Sequence, residues 1–375
     1  MKLGFLRPLY QEFGDFVSVY IDTDRASENA AQAIGLRWRA AREQLEAAGA
    51  SPETLDAAED VFGDAEEASP GRAVFARDGG VTFTGALDAP PRRPIARLAD
   101  LPHVMPLLAQ RRPPIPHLRV SATRTGGEIV AVGGNGSAWR DWVAGRQWPV
   151  HKTPAGGWTQ DKHQRAVEET WEENASALAA DVVAMAGQVS ASHVIIGGDV
   201  RARALLLENL PKSLRQSAVT LDDEVAADSQ IMAEAADRAL MHWADQAVRE
   251  RFDEWRTRRA HGRAAEGLGA VMAALRDGQV SDLFLADDPA SVAAAWIGPA
   301  GTDLAATEDE LAERGIAAPV SDRADAALVR AIASTEAELH FLPADLVQTG
   351  DPEACGGFAS PRDGICATLR FSEEG

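Results

Sequence analysis

Eight prolines, Pro90, Pro91, Pro94, Pro102, Pro106, Pro113, Pro114 and Pro116, fall within 27 consecutive residues of this chain. Each fixes its own φ, removes a backbone donor and pushes the residue before it toward extended geometry. The stretch is therefore not one continuous helix and is read as partly extended, with a boundary at its end near residue 115. A chain of 375 residues is too long for one ordinary domain, and the spacing of its segments predicts three: 1–115, 116–260 and 261–375.

The first segment opens with Asp15-Phe16-Val17-Ser18-Val19-Tyr20-Ile21-Asp22, an apolar run with alternation that is read as a strand. Ala33, Leu36, Arg37, Ala40, Ala41 and Leu45 then repeat at three and four residues up to Gly49, which predicts a helix. Ser51-Pro52-Glu53-Thr54 reads as the capped start of a second helix, and Asp78-Gly79-Gly80 as the turn of a hairpin between 72–76 and 81–85. This is a small α/β unit.

The second segment starts with strands 117–124 and 128–133. The run Gly133-Gly134-Asn135-Gly136 lacks the order of a phosphate cradle and is read as a turn. Val167, Trp171, Asn174, Leu178, Val182 and Met185 predict a long amphipathic helix. Strand 193–196, the turn Gly197-Gly198-Asp199 and a helix over 201–209 follow. A phosphate could sit at that helix start, but Asp199 occupies the place, which favours a capped connection. A helix over 229–259 ends in the charge run Arg249 to Arg259, usually a solvated face.

The last segment alternates helices (263–276, 307–314, 322–334) with strands (282–286, 338–342, 365–371), which predicts an α/β/α sandwich. His340 in a strand is read as a packed core histidine. No nucleophile elbow or zincin motif occurs.

The net charge of −20 argues against a polyanionic partner, but its distribution is uneven. Lys+Arg against Asp+Glu is 13 to 17 over 1–115, 17 to 20 over 116–262 and 7 to 20 over 263–375. The acidic last third suits a protein partner or solubility. The earlier segments hold basic clusters: Arg37, Arg39 and Arg42; Arg92, Arg93 and Arg97; Arg111 and Arg112. Two cysteines, Cys355 and Cys366, without Cys-x-x-Cys spacing predict neither a metal site nor a structural disulfide, and no cofactor is expected. Without an apolar leader or an 18-residue apolar span, the chain is expected to be cytoplasmic.

One stretch stands out chemically. His151, Lys152, Gly156, Gly157, Trp158, Thr159, Gln160, Lys162, His163 and Arg165 put a glycine pair, an indole and several cations on a loop ahead of the long helix. Glycines let the backbone approach a crowded surface, an indole stacks on bases and cations meet phosphates. The same residues also suit a surface turn with Trp158 folded back onto its own domain.

The order of segments, Val17 to Thr23, Pro102 to Leu108, Gly156-Gly157-Trp158-Thr159-Gln160 with Trp171 and Asn174 behind it, and the closing Leu369-Arg370-Phe371 resemble the archaeo-eukaryotic peptide chain release factor and Pelota superfamily. More narrowly they resemble its bacterial branch, which includes the Balon-like ribosome hibernation factors. The resemblance spans essentially the whole chain. It implies a ribonuclease-H-like middle domain, a last domain similar to ribosomal proteins that bind kink-turn RNA, and a monomer that binds ribosomal RNA in the A site of the 70S ribosome with elongation factor Tu as partner.

In release factors a Gly-Gly-Gln tip orients water against peptidyl-tRNA, the Gln backbone N–H stabilising the oxyanion. Here Gly156 and Gly157 match the glycines, Trp158 stands in the Gln position, and Gln160 is the nearest glutamine and the one catalytic candidate. No Asn-Ile-Lys-Ser type motif for stop-codon reading occurs in 1–115. The expectation is a ribosome-binding hibernation or stress factor, with peptidyl-tRNA hydrolysis through Gln160 as the alternative. A two-metal nuclease is disfavoured because the stretch 117–133 supplies only Glu128.

Overall fold

Strand β1 (Phe16–Asp22) is buried on both faces, which explains its unbroken apolar sequence. Val17, Val19 and Ile21 meet Ile34, Trp38 and Leu45 of α1 (Ala30–Ala47) and Leu55 of α2 (Pro52–Gly63). Phe16 and Tyr20 face the opposite side. The computed structural model describes the chain apart from residues 12–13, 64–68, 112–114, 135, 145–156, 222–225, 228, 289–290, 348–359 and 372–375, and for 157–167 it describes the backbone alone.

β1 pairs antiparallel with β2 (Gly71–Arg77) and β4 (Ile95–Ala99), and β2 with β3 (Gly80–Leu87), giving the order β3-β2-β1-β4. The β2–β3 turn has Asp78 at φ 50° and Gly79 at φ 74°, the left-handed pair that a tight hairpin needs. The Pro-rich stretch supplies β4 and the short α3 (Met105–Gln110).

The middle part is a mixed sheet with helices on both faces. An antiparallel meander, β5 (His117–Thr123), β6 (Gly126–Val132) and β7 (Ala138–Ala144), is extended on the other side of β5 by parallel strands β8 (His193–Gly198) and β9 (Ala218–Thr220), in the order β7-β6-β5-β8-β9. Helices α4 (Gly157–Val189), α5 (Val200–Asn209) and α6 (Lys212–Gln216) connect the strands, and α7 (Gln230–Arg259) follows. Leu178 and Val182 of α4 and Leu206 of α5 pack on Leu118, Val120, Ile129 and Val194, while Met232, Ala236 and Trp243 of α7 cover Ile195 on the other face. A three-strand meander continued by two parallel strands is the ribonuclease-H-like arrangement. Gly127 permits the close approach of α4: a Cβ there would lie 2.7 Å from both Leu178 Cδ2 and Ser121 O.

After α7 come β10 (Ala264–Glu266), α8 (Leu268–Arg276), β11 (Val280–Leu285), β12 (Ala294–Ile297), β13 (Leu304–Ala305), α9 (Glu308–Ala312), β14 (Val320–Arg323), α10 (Ala324–Thr335), β15 (Glu338–Phe341), α11 (Ala344–Val347) and β16 (Ile365–Leu369). They build two sheets, β10-β16-β11-β15 and β13-β12-β14. The helix expected over 263–276 is corrected: Ala264–Glu266 pairs with β16, and the helix starts only after Gly267, whose φ of 85° interrupts any helical run.

By compactness the chain divides into two units, Met1–Arg112 with Val248–Gly375, and Pro113–Ala247. The first and last stretches share one apolar core, where Leu3, Leu6, Leu9, Phe16, Leu107 and Leu108 meet Ala327, Leu328, Ala331 and Ile332 of α10. Among the described residues no helix is long and apolar enough to cross a membrane.

Candidate nucleic-acid interface

The candidate segment is bracketed by β7 and α4. His151, Lys152 and Gly156 lie outside the described residues. Gly157, Trp158, Thr159, Gln160, Lys162, His163 and Arg165 lie in the first turns of α4, which starts at Gly157, so the loop expected as far as Arg165 is shorter and these positions are helical. Residues 158–170 contain neither Pro nor Gly, so nothing stops the helix from growing back to the glycine pair.

The described part of α4 is locked onto the sheet by a polar cluster that sequence reading found only in part. Asn174 is buried, and its side-chain amide donates to the Arg124 carbonyl at 2.9 Å. One turn earlier the Trp171 ring is met by two guanidiniums, Arg124 at 4.7 Å and Arg201 at 5.9 Å from its centroid. Arg124 also pairs with Asp199 at 2.9 Å, and Arg201 with Glu168 at 3.6 Å.

Asp199 is the N-cap of α5, its carboxylate accepting from the N–H groups of Arg201 and Ala202 at 3.0 Å. Burial pushes this carboxyl up, but the Ala202 N–H and the Arg124 guanidinium outweigh it and hold it below the usual carboxylate range. The capped connection read from the sequence is therefore what forms. Gly198 before it has φ 104°, and a Cβ there would stand 2.1 Å from the Ala122 carbonyl oxygen.

Strand β7, which sequence reading missed, ends at Ala144, ahead of the candidate segment in the chain. Trp139 and Trp142 are exposed on it, and Arg140 Nε lies 3.3 Å from Glu128 Oε1. Glu128, the one carboxylate a nuclease reading had in 117–133, is buried and also accepts from the Ala227 N–H at 3.3 Å.

The basic clusters of the first segment are largely engaged within the chain. Arg42 bridges Glu46, Asp56 and Glu59, Arg37 meets Asp22, Arg92 meets Asp287, and Arg97 is bonded to the buried Asp322. Arg111 lies over the Phe5 ring at 4.7 Å. The charge run ending α7 is likewise paired: Arg249 with Asp345, Arg251 with Asp282, Arg258 with Glu254 and Arg259 with Glu266. Part of the acidity of the last third thus neutralises arginines of the same chain.

One group of metal-ligand type occurs among the described residues: Asp282, Glu338 and His340, with donor atoms within 4.8 Å of one another. Glu338-x-His340 on β15 is the alternation that puts two side chains on one face, and β11 brings Asp282 beside them. His340 is buried and stacks on Phe284, as a core histidine does, but its Nε2 also bonds Asp282 at 3.0 Å. Burial pushes the Asp282 carboxyl up, and hydrogen bonds from His340 and Ser281 with the Arg251 charge bring it down to about 2. With Arg251 2.9 Å away, the group is an internal ion-pair network. Cys366 is buried with its thiol pushed up, chiefly by desolvation, which makes it unreactive; Cys355 lies outside the described residues.

The profile of the family described as Bacterial archaeo-eukaryotic release factor family 2 matches residues 116–264, the middle part together with α7. Two uncharacterized proteins of Mycobacterium tuberculosis, Rv2629 of strain H37Rv and MT2704 of strain CDC 1551, are each 31% identical over 389 residues, covering 99% of this chain and 97% of the relative. Among solved structures, the archaeal translation termination factor aRF1 is 17% identical with a TM-score of 0.24, covering 98% of this chain and 96% of its own. Archaeoglobus fulgidus Pelota is 15% identical with a TM-score of 0.38, covering 100% and 92%. On the family profile and the full-length relatives, the chain belongs to the bacterial archaeo-eukaryotic release factor family 2.

Proposed function

We propose that this protein is a ribosome-binding translation factor that occupies the A site of the 70S ribosome, in hibernation or stress protection, without hydrolysing peptidyl-tRNA. Membership of a release factor family supports a role in translation. The observation that carries the non-hydrolytic reading is Trp158, which stands after Gly156-Gly157 where the hydrolytic glutamine belongs. Loss of a positioned oxyanion donor costs on the order of a hundredfold to a thousandfold in rate, whereas an indole is suited to stacking on ribosomal RNA.

In this reading the chain works as three parts, 1–115, 116–260 and 261–375, with the first toward the decoding centre and residues 151–165 toward the peptidyl-transferase centre. The lack of a codon-reading tetrapeptide suits entry into a vacant A site. The protein acts in the cytoplasm as a monomer, and elongation factor Tu is its proposed companion. The test is co-sedimentation with 70S ribosomes of the same organism over a salt series, with a Trp158→Ala, Lys162→Ala variant alongside. Binding that falls with salt and with the substitutions is expected, because phosphate contacts release counterions. No binding at low salt, with or without elongation factor Tu, overturns the proposal.

A further inference from the structure

Helix α4 is held to the middle sheet in two ways along its length. Its apolar cluster begins at Leu178, which with Ala179, Val182 and Ala186 packs on β5, β6 and β8. Ahead of that core, Glu168, Trp171 and Asn174 mark successive turns of the helix, and each is engaged by a group from the β5–β6 turn or the start of α5. This polar grip lies between the apolar core and the turns that carry Gly157 to Arg165.

Arg124 is the centre of the grip, and Asp199 sets its place. Oδ1 of Asp199 accepts from the Arg201 and Ala202 N–H groups and caps α5, while Oδ2 accepts from Arg124 Nε at 3.0 Å and lies 2.9 Å from its Nη2. With two nitrogens on one carboxylate oxygen, the flat guanidinium is kept against the Trp171 ring. Exposed ion pairs add little to global stability, and the Arg124 side chain is 54% exposed. What the grip governs is local: a helix frays at its start, where the first N–H groups lack intrahelical partners. Gly157 is about 21 Å along the helix from Trp171, so a tilt of about 10° at the grip displaces that end by roughly 4 Å.

We infer that Arg124 is a positioning residue for the 151–165 segment: held by Asp199, it grips Trp171 and Asn174 and so fixes the line of the helix that carries Gly157 and Trp158. Arg124 acts through the helix and not by touching RNA. This deepens the proposed function, on which it rests for what the segment binds.

The test uses the full-length protein, hydrogen exchange of peptides covering 158–168 and 178–189, and 70S co-sedimentation in parallel. In Arg124→Ala, exchange over 158–168 should speed up about tenfold or more while 178–189 stays unchanged. A helix end in place a tenth of the time binds about tenfold more weakly, so ribosome affinity should fall in step. Trp171→Phe, which keeps an aromatic face for the guanidinium, should retain most of the affinity, and Trp171→Ala should lose it. Val182→Ala is the control for plain destabilisation: it opens a cavity under the far half of α4 and lowers the melting temperature, but leaves the grip and the affinity as they are. Unchanged exchange over 158–168 in Arg124→Ala overturns the positioning role, as does an equal loss of affinity in Val182→Ala. Wild type and Arg124→Ala bound equally well to the ribosome also overturns it and leaves the ribosome reading standing. Exchange that responds to Arg124→Ala and is restrained in Trp171→Phe, in a protein that binds no ribosome, upholds the hold on α4 and sinks the ribosome reading.

Discussion

The side-chain amide of Asn174, buried on α4, donates to the backbone carbonyl of Arg124 at 2.9 Å, while the Arg124 guanidinium stacks on Trp171 one turn earlier on the same helix. One arginine thus contributes both its backbone and its side chain to the junction between the β5–β6 turn and α4. The junction lies near the middle of the helix whose first turns carry Gly157 to Arg165.

Asn174→Ala should leave the Arg124 carbonyl short of a buried donor and cost about 1–3 kcal/mol in the stability of the middle unit. Urea unfolding of the full chain, followed by hydrogen exchange at β5 and β6, measures this. Exchange in the strands of the first unit, such as β1, should stay unchanged, because that unit has its own core.

The part of this junction legible in the sequence was the helix stripe holding Trp171 and Asn174, and the capping role of Asp199. Its partners were not legible, because Arg124 lies 50 residues from Asn174 and only the pairing of β5 with β8 brings it near Asp199. β7 escaped for a different reason: in Ala138-Trp139-Arg140-Asp141-Trp142 the apolar residues do not keep to one face, so period-two alternation is absent from an edge strand whose residues are exposed except for Val143. β12, β13 and β14 are two to four residues long and held by neighbours, which is too short for periodicity to register. Conversely, Asp78-Gly79 predicted its hairpin because the two positive φ angles are a local demand of the turn.

Asp322 should be among the most sensitive positions of the first unit. Its buried carboxylate is bonded to Arg97 and accepts from the Leu101 N–H at 3.0 Å, tying the Pro-rich stretch to β14. Asp322→Ala leaves an arginine without its partner in a mostly buried setting, and a loss of about 3–5 kcal/mol is expected in chemical denaturation. Asp322→Asn, which keeps the shape and one acceptor, should recover part of it.

Acidification should loosen the face of the middle sheet that α7 covers. Burial lowers the His117 pKa from its ordinary 6.5, against its hydrogen bond to the Ile115 carbonyl; burial and the neighbouring His117 lower that of His193, which stacks on Trp243 at 4.2 Å. Arg119 opposes and Asp237 favours the charged form of His117. A histidine whose folded pKa is depressed contributes stability that is complete above 6.5 and is lost as pH falls from 6.5 through the folded value. The urea midpoint should therefore drop between pH 7 and 5, and a His117→Gln, His193→Gln variant should show a flatter profile over that interval. An identical slope in the variant would exclude these imidazoles as the cause.

Gly198→Ala should prevent the middle unit from forming its β8–α5 turn. The new Cβ would stand 2.1 Å from the Ala122 carbonyl oxygen in a backbone conformation, φ 104°, that side chains other than glycine's rarely adopt. Loss of soluble expression, or a destabilisation of about 3 kcal/mol or more, is the expected result. Gly136→Ala provides the contrast: its φ is also positive, at 79°, but no atom lies within 4 Å of the added carbon, so only the conformational cost of about 1 kcal/mol applies.

The last prediction separates binding from catalysis at the candidate segment itself. Gln160 sits in the first turn of α4, three residues after Gly157, so its backbone N–H is near a helix start where donors are unpaired. If the protein only occupies the ribosome, Gln160→Ala leaves release of peptide from peptidyl-tRNA at the background rate of the wild type and leaves affinity nearly intact. Trp158→Ala lowers affinity, by roughly 1–3 kcal/mol for one lost base stack. If Gln160 hydrolyses the ester, wild type releases peptide well above background and Gln160→Ala abolishes that release without loss of binding. A puromycin-calibrated release assay on loaded 70S ribosomes, run with all three proteins at matched occupancy, decides between them.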